Sequence, residues 1–371
     1  MIYLDNNATT RVLPEVMEAM LPFYTELWGN PSSLHPFGAQ VAKHIDKARE
    51  QAAALLGAQR ESEIVFTSGG TESNNLAIRG TLLANPGKKH IVTTPVEHPS
   101  VLLLCQQMEK EGYEVTYALD HPEKSIGENT ALVSVMWANN ETGVIFPIEK
   151  IAAVCREKNV PLHVDATQAA GKIPIDLRQV PVSLLSISGH KLHAPKGIGA
   201  LYVRRGTRLN PLFHGGHQER SRRAGTENVA GIVGFGKACE LAQERLKNGV
   251  MEKITELRDR FEKTLAQKFP WIRINGKENR RLPNTSSISF ERLEGEAICL
   301  LLGEENICVS TGSACSAGSL EPSHVLKAMG LNAKQARGTV RFSLGFETTQ
   351  EEINQTINTL EKIIWRLKRT S

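Results

Sequence analysis

Several features are missing from the 371-residue chain, and each absence excludes a class of protein. No stretch approaches the roughly 20 apolar residues of a membrane-spanning helix, and the N-terminal residues show neither the basic nor the apolar region of a signal peptide. No CxxC pair is present, which argues against a zinc site or a disulfide framework and favours reduced thiols. The six cysteines are scattered: Cys105, Cys155, Cys239, Cys299, Cys308 and Cys315. We therefore expect a cytoplasmic protein without a membrane segment or a metal centre.

Charge and nucleotide motifs are equally sparse. The net charge is +4 and no block of lysine and arginine stands out, so nucleic acid is not expected as a partner. Neither GxxxxGK[ST] nor GxGxxG occurs, so the sequence indicates neither ATP nor NAD. The remaining composition, 40% hydrophobic and 23% charged, is ordinary for a globular protein.

Strand and helix patterns alternate along the first two thirds of the chain, which predicts a mainly parallel sheet wrapped by helices. The predicted strands are 63–67, 90–93, 114–117, 130–135, 162–165, 183–187 and 199–203, and the predicted helices are 14–20, 38–56, 74–83, 100–110 and 148–158. One long amphipathic helix is predicted over 228–269. A smaller α+β unit then follows, with strands 286–290 and 339–343 and helices 294–302 and 349–368.

Lys191 stands where the buried strand 183–187 ends, before a Pro/Gly turn and a second strand. A lysine amine in this position is able to form a Schiff base with an aldehyde cofactor. A solvated loop lysine would show the same pattern, so this stretch alone leaves both interpretations open.

Three further strand ends carry polar residues. Gly70 and Thr71 lie in a Gly-rich turn before a helix, where backbone N–H groups favour a single phosphate, although an ordinary helix cap would look alike. Asp165 and Gln168 follow an apolar strand, where a carboxylate could pair with a pyridinium nitrogen or could simply cap a helix. His98 follows another strand and could stack on a flat ring or be structural.

Other candidates have weaker individual signals. Asn140, in 139–143, could donate to a ring oxygen or to a substrate carboxylate, or could be part of a plain turn. Arg341 could hold a carboxylate bidentately. Thr226 follows an arginine cluster and could reach a phosphate. Cys315 lies in a small, polar, Gly-rich loop that we expect to be exposed and mobile, which makes it a candidate nucleophile or an incidental thiol.

Taken in chain order, these segments resemble the NifS/IscS-type cysteine desulfurases, in the class V aminotransferase group of fold-type I pyridoxal-phosphate enzymes. The resemblance runs from Tyr3 to the Arg341 strand. Its motifs are SGGTESNN, EHPSV, NNETG, HVDATQ, SGHKLHAPKGIG, RAGTEN and STGSACSAG. The long cysteine loop is like that of group I desulfurases, and the Asn6-Asn7 doublet is closer to NifS than to IscS.

The resemblance implies an α/β fold with a mainly parallel seven-stranded sheet in a large domain, residues 16–255, and a smaller α+β domain made of 1–15 and 256–371 that carries the cysteine loop. It also implies pyridoxal 5'-phosphate as cofactor, L-cysteine as substrate and L-alanine as product. Lys191 would form the Schiff base and move the Cα proton, and Cys315 would take the sulfur as a persulfide. His98 would stack on the ring, Asp165 would pair with its nitrogen and Gln168 would bond its oxygen.

The remaining implied roles concern the phosphate, the substrate and the partners. The residues implied to hold the phosphate are Gly70, Thr71, Ser188, His190 and, from the neighbouring subunit of a homodimer, Thr226. Asn140, which is also assigned to the cofactor, would orient the substrate carboxylate with Arg341. The sulfur acceptor is expected to be a NifU/IscU-like iron–sulfur scaffold or another acceptor, with nitrogenase maturation, general cluster assembly and tRNA thiolation all open.

Three rival functions remain at this stage. A selenocysteine lyase or a class V aminotransferase would share the fold. A non-catalytic assembly protein would also share it but would have lost a catalytic position, whereas Lys191, Asp165, His98 and Cys315 are all present.

Overall fold

A computed structural model describes residues 1–312 and 322–370. By internal packing the chain divides into two compact units, a larger one (Thr10–Trp137 with Phe146–Arg245) and a smaller one (Met1–Thr9, Ala138–Ile145 and Leu246–Ser371). The domain limits 16–255 and 256–371 stay a prediction. Within the described ranges, no helix combines the length and the apolar character that crossing a membrane requires.

Twelve strands are formed by the described residues. They are β1 Ile2–Tyr3, β2 Ile64–Thr67, β3 His90–Thr93, β4 Glu114–Tyr117, β5 Thr130–Met136, β6 Leu162–Asp165, β7 Leu184–Ser188, β8 Gly199–Val203, β9 Arg273–Ile274, β10 Thr285–Ser289, β11 Ile307–Cys308 and β12 Thr339–Ser343.

The same residues form thirteen α-helices, in addition to three short 3-10 helices. They are α1 Pro14–Met20, α2 Pro22–Thr25, α3 Pro36–Leu56, α4 Gly70–Ala84, α5 Pro99–Lys110, α6 Ile148–Glu157, α7 Gln218–Ser221, α8 Val229–Lys247, α9 Val250–Lys268, α10 Gly295–Glu304, α11 His324–Ala328, α12 Ala333–Arg337 and α13 Gln350–Thr370.

The larger unit is built on a seven-stranded sheet in the order β2-β8-β7-β6-β5-β3-β4. All neighbouring pairs are parallel except those of β8, which runs antiparallel to both β2 and β7. Strand β5 is buried at every position, as expected for a strand covered by helices on both faces. The predicted mainly parallel seven-stranded sheet is confirmed.

Helix α3 shows how local sequence sets the limits of a helix. Nδ1 of His35 accepts a hydrogen bond from the N–H of Gly38 at 3.1 Å, and Pro36 occupies the first turn, where its missing N–H costs nothing. Gly57 ends the helix in the left-handed conformation at φ 59°.

The predicted single helix over 228–269 is wrong. The chain forms α8 and α9 instead, separated at Gly249, which has a φ of 69°. A left-handed residue cannot continue a right-handed helix, so the apolar periodicity on either side of Gly249 belongs to two helices.

The smaller unit contains an antiparallel sheet in the order β12-β10-β9 and the parallel pair β1-β11. Its core joins these strands to helices α9, α10 and α13 through buried aromatic and aliphatic side chains, among them Phe261, Phe290 and Phe342. The ring centroids of Phe261 and Phe342 lie 4.9 Å apart in an edge-on arrangement, which adds to the stabilisation from burial.

Candidate active site

Most of the predicted cofactor residues lie at one edge of the large sheet. Strands β3, β6 and β7 are parallel through β5, so their carboxyl ends meet at the same edge. His98 follows β3, Asp165 ends β6 and Lys191 follows β7. Strand β8 is antiparallel to both β2 and β7, so β2 points the same way as β7. The turn that follows β2 therefore brings Gly70 to this edge. Ligands of open α/β sheets bind at such an edge.

Lys191 ends a short 3-10 helix, Gly189–Lys191, directly after β7, and is half-buried. The N–H of Gly189 donates to the carbonyl of Ile198 at 2.9 Å, which closes the loop across its base. Both the N–H and the hydroxyl of Thr10 donate to the carbonyl of His190 at 3.0 Å. The backbone on which the lysine is mounted is therefore fixed from two sides.

Asp165 is buried, with 6% of its surface exposed, and its two oxygens accept from neutral donors. Nδ2 of Asn74 donates to Oδ2 at 2.8 Å, and the N–H of Thr167 donates to Oδ1 at 2.9 Å. These two donors fix the orientation of the carboxylate, which is the type of group that a pyridinium nitrogen requires as its partner.

His98 precedes the first residue of α5 and caps the helix. Its Nδ1 accepts from the N–H of Ser100 at 3.2 Å and lies 2.8 Å from Oγ of Ser100. That hydroxyl accepts from Nδ2 of Asn74 at 2.8 Å, so its own hydrogen is directed to Nδ1. With Nδ1 acting as acceptor, a neutral His98 carries its proton on Nε2.

The turn from β2 to α4 brings bare backbone close to its neighbours. Gly69 precedes α4 without any side-chain cap and has a φ of 152°. A Cβ on Gly199 would lie 2.8 Å from Cα of Gly69, and one on Gly70 would lie 3.1 Å from Oγ1 of Thr167. The uncapped N–H groups of a fifteen-residue helix form a suitable site for an anion, with Thr71 exposed and Ser188 buried beside it.

The surroundings of His190 are cationic. Burial, together with the nearby charges of Lys191, Lys196, His98 and Lys172, lowers the pKa of His190 to about 4, so the ring is neutral at neutral pH. Such a concentration of positive charge suits a phosphate.

Gln168 is buried, and its Oε1 accepts from Nζ of Lys172 at 2.6 Å. Donation to a ring oxygen would therefore come from Nε2 of Gln168.

The loop that contains Thr226 is joined to the turn between β2 and α4 through an ion pair. Nε of Arg223 donates to Oε1 of Glu72 at 2.9 Å, and the N–H of Ser68 donates to Oε2 of Glu72 at 2.7 Å. Although burial opposes ionisation, the hydrogen bonds from Arg223 and Ser68 hold the pKa of Glu72 below its usual value. Thr226 itself is exposed.

In the smaller unit, Asn140 and Arg341 are brought together. Nη1 of Arg341 donates to the carbonyl of Asn140 at 3.0 Å, and Nη2 donates to Oδ1 of Asp5 at 2.8 Å. Nδ2 of Asn7 donates to the same Asn140 carbonyl at 3.1 Å. Arg341 is 2% exposed, so this strand arginine is a buried, paired group rather than a surface one.

Cys315 lies outside the described residues. Cys105, Cys155 and Cys239 are buried, and burial raises the pKa of the Cys105 and Cys155 thiols to about 12. These buried thiols are protonated at neutral pH and are poor nucleophiles.

The residues of the larger unit fit pyridoxal 5'-phosphate. The glycine-lined turn and the cationic surroundings of His190 match the phosphate. The Asp165 carboxylate matches the ring nitrogen, and the lysine amine matches the aldehyde. The fit rests on groups at the ends of β2, β6 and β7, which share one edge of the sheet.

Comparison with known proteins agrees with this geometry. Residues 2–356 match the family described as Aminotransferase class-V. The chain therefore belongs to the aminotransferase class-V family.

The relatives narrow the class. A cysteine desulfurase of Trichormus azollae is 56% identical over 379 aligned residues, covering 100% of this chain and 94% of that protein. The cysteine desulfurase NifS of Azotobacter vinelandii is 51% identical with the same coverage. A solved structure described as a NifS-like protein superposes with a TM-score of 0.91 at 40% identity, covering 99% of this chain and 100% of that one. Within the family, the chain belongs with the NifS/IscS-type cysteine desulfurases, as the motifs predicted.

Sequence reasoning missed two polar residues that organise the site, Asn74 and Ser100. Both lie inside the recognised motifs SGGTESNN and EHPSV, yet neither was given a role. Asn74 is one helical turn beyond Gly70, and positions three to four apart share a helix face, so its orientation toward the site was a signal in the sequence.

Proposed function

We propose that the chain binds pyridoxal 5'-phosphate at the carboxyl edge of its large sheet and uses it to remove sulfur from L-cysteine. The observation that carries the proposal is the Asp165 carboxylate, buried and held by neutral donors at the edge where Lys191 and His98 also lie. When bound, the cofactor supplies an electron sink that weakens bonds at the substrate Cα and Cβ.

Each residue at the edge would have a separate task. The amine of Lys191 would hold the cofactor covalently and then carry the proton at the substrate Cα. Asp165 would keep the ring nitrogen protonated, His98 would stack on the ring and Gln168 would donate to its oxygen. The groups around the phosphate would be Gly70, Thr71, Ser188, His190 and Thr226.

Asn140, assigned to both cofactor and substrate, and Arg341 would orient the substrate carboxylate. The guanidinium of Arg341 is already held by Asp5 and by the Asn140 carbonyl, so its position is set before any substrate arrives. Such pre-organisation lowers the entropy cost of orienting the substrate.

Cys315 would receive the sulfur. Its Sγ forms a bond with the substrate sulfur while the bond between that sulfur and Cβ breaks, and Cβ gains a proton. L-cysteine and the Cys315 thiol thus become L-alanine and a Cys315 persulfide. This balance needs no external oxidant or reductant.

The wider setting is part of the same proposal. We propose a cytoplasmic homodimer in which Thr226 reaches the neighbouring subunit's phosphate, with 16–255 as the cofactor domain and 1–15 with 256–371 as the domain of the cysteine loop. The acceptor would be a NifU/IscU-like scaffold or another sulfur acceptor.

The test is a single turnover of cofactor-loaded protein with L-cysteine, followed by mass spectrometry. We expect one alanine per persulfide and one added sulfur atom on the peptide that contains Cys315. Cys315→Ala should abolish sulfide release while leaving cofactor uptake intact. Lys191→Ala should alter the visible absorption of the bound cofactor.

Other outcomes would point to the rivals. Full sulfide release by Cys315→Ala would remove the proposed role of Cys315. Production of a keto acid in place of alanine would indicate an aminotransferase, and turnover of selenocysteine alone would indicate a lyase. A colourless protein that takes up no added cofactor would end the proposal.

A further inference from the structure

Glu141 is a buried acid in the smaller unit that the proposed chemistry does not use. Only 2% of its surface is exposed. Its backbone is fixed by a compact turn in which the N–H groups of Glu141 and Thr142 donate to Oδ1 of Asn139 at 2.9 and 3.0 Å. The N–H of Gly143 closes the turn on the Asn139 carbonyl at 3.0 Å. The carboxylate is therefore presented from a rigid base.

One oxygen of this carboxylate, Oε2, contacts Ser323. The hydroxyl of Ser323 donates to it at 2.6 Å and accepts from the N–H of Leu326 at 3.3 Å. Ser323 is the N-cap of α11 and is itself buried. The contact thus joins Glu141 to the start of that helix.

The same oxygen packs against Gly312. A Cβ built on Gly312 would overlap Oε2 of Glu141 and would lie 3.1 Å from its Cδ. No left-handed φ is involved at Gly312, so the requirement for glycine comes from the close approach of the carboxylate.

Gly312 and Ser323 are eleven positions apart, and the chain between them contains Cys315. Three residues of chain span at most about 11 Å, so the position of Gly312 limits how far Cys315 can travel. A group that contacts both Gly312 and Ser323 consequently fixes the two ends of the segment that contains Cys315.

We propose that Glu141 is a positioning residue that fixes both attachment points of the Cys315 segment and thereby sets the efficiency of sulfur transfer. The inference rests on the proposed function of Cys315. Glu141 acts through Gly312 and Ser323 and exchanges no atom with the substrate.

Two charged neighbours bear on this carboxylate. Burial raises the pKa of Glu141, while the Ser323 hydrogen bond and the charges of Arg341 and His324 act in the opposite direction. Glu141→Gln keeps the shape and the acceptor oxygen for Ser323, so it separates the role of the contact from that of the charge.

The experiment compares two rates in single turnovers of the cofactor-loaded enzyme with L-cysteine. The first is the rate of the substrate-induced change in cofactor absorption. The second is the rate of persulfide formation on Cys315, which is measured by rapid quenching and mass spectrometry. We expect Glu141→Ala, Ser323→Ala and Gly312→Ala to slow the second rate about tenfold or more relative to the first, because a displacement of about 1 Å can cost up to two orders of magnitude. Glu141→Gln should keep most of the rate of persulfide formation of the unaltered enzyme.

The matched control is Ser289→Ala, which removes a buried hydroxyl that hydrogen-bonds Thr339 at 2.7 Å in the same unit. It should leave the ratio of the two rates unchanged. The double variant Glu141→Ala with Ser323→Ala should form the persulfide no more slowly than Glu141→Ala alone, because both substitutions remove the same hydrogen bond between Glu141 and Ser323.

An unchanged ratio in Ser323→Ala and Gly312→Ala, or an equal slowing by Ser289→Ala, would overturn the inference. Should Glu141→Ala fail to fold, Ser323→Ala and Gly312→Ala still test the inference. If the unaltered enzyme forms no persulfide on Cys315, the proposed function itself fails, which is a different result.

Discussion

The side-chain nitrogen of Asn74 donates to Oδ2 of Asp165 at 2.8 Å, which ties the first turns of α4 to the carboxyl end of β6. Its second hydrogen is donated to Ser100, whose hydroxyl bonds His98. One amide group therefore orients both the residue assigned to the ring nitrogen and the residue assigned to the ring face.

Replacing Asn74 by leucine should weaken cofactor binding about tenfold or more, because hydrogen bonds to charged groups contribute about 1.5–3 kcal/mol. Stability should change little, since the buried Oδ1 of Asn74 has no hydrogen-bond partner among the described residues and its loss offsets part of the cost. A fluorescence titration of the apoprotein with cofactor measures the affinity. Ser100→Ala, which removes only the His98 branch, serves as the comparison. Equal affinities for Asn74→Leu and the unaltered protein would contradict the assignment.

Glu97 should make stability fall as pH rises. Burial, helped by the charge of Asp165, raises the pKa of Glu97 from 4.5 to about 8, although Thr94 and the N–H of Met136 donate to it. Between these two values the folded state holds a proton that the unfolded state has released, so the free energy of unfolding decreases with pH. This contribution is complete below pH 4.5 and lost above about 8.

Glu97→Gln removes that proton exchange. Relative to the unaltered protein, the variant should gain about 2–3 kcal/mol of stability between pH 6 and pH 8, because one pKa unit corresponds to about 1.4 kcal/mol. Urea unfolding at the two pH values measures the difference. Parallel curves for the two proteins would show that Glu97 ionises normally.

The buried pair of Arg49 and Glu219 should be costly to break. Both nitrogens of the guanidinium fork donate to Glu219, at 2.7 and 2.9 Å, and the N–H of Phe66 donates to it at 3.0 Å. Glu219 begins three consecutive left-handed residues, 219–221, so α7 is not a regular right-handed helix, and the loop with Arg223 and Thr226 follows it. Glu219→Ala should lower the free energy of unfolding by about 3–5 kcal/mol, since it leaves a buried charge unpaired.

Glu111→Ala is the control for this pair. It removes an ion pair with Arg79 whose side chains are 35–39% exposed, and such surface pairs contribute about 1 kcal/mol or less. Both variants are compared by urea unfolding. Similar losses in the two would mean that Glu219 is not held as tightly as its contacts indicate.

Gly57 and Gly249 share a left-handed conformation but differ in their surroundings. A Cβ on Gly57 would lie 2.7 Å from Oδ1 of Asp176, whereas one on Gly249 would find nothing closer than 3.7 Å. Gly249→Ala should cost about 1–2 kcal/mol from backbone conformation alone, and Gly57→Ala should cost more. Thermal unfolding of the two variants tests this order, and a reversed order would contradict it.

Sequence reasoning was most successful where the pattern is local. The parallel strands and the residues at their ends were predicted because apolar runs and turn residues recur in register, and the family motifs fall on those ends. The break between α8 and α9 was missed because a single glycine inside a long periodic stretch is compatible with a continuous helix. Only the left-handed φ of Gly249 shows where the helix ends.

Long-range partners were beyond the reach of the sequence. The pairing of Arg341 with Asp5 spans 336 positions, and the contact of Glu141 with Ser323 spans 182. No periodicity or spacing encodes such pairs, because they depend on how separate elements pack. The motifs predict candidate site residues, whereas the buried hydrogen bonds show how those residues are held.

The reversed direction of β8 has a consequence for the lysine. Had β8 been parallel to β7, the chain after Ser188 would need a long crossover to return to the other end of the sheet. Because β8 is antiparallel to β7, Ser188 pairs directly with Gly199, and residues 189–198 form a loop that connects the ends of two adjacent strands. Lys191 thus lies in a short loop whose two ends are fixed by the pairing of β7 with β8. Inserting or deleting even one residue in this loop should misplace the Lys191 amine while leaving the remaining strands paired.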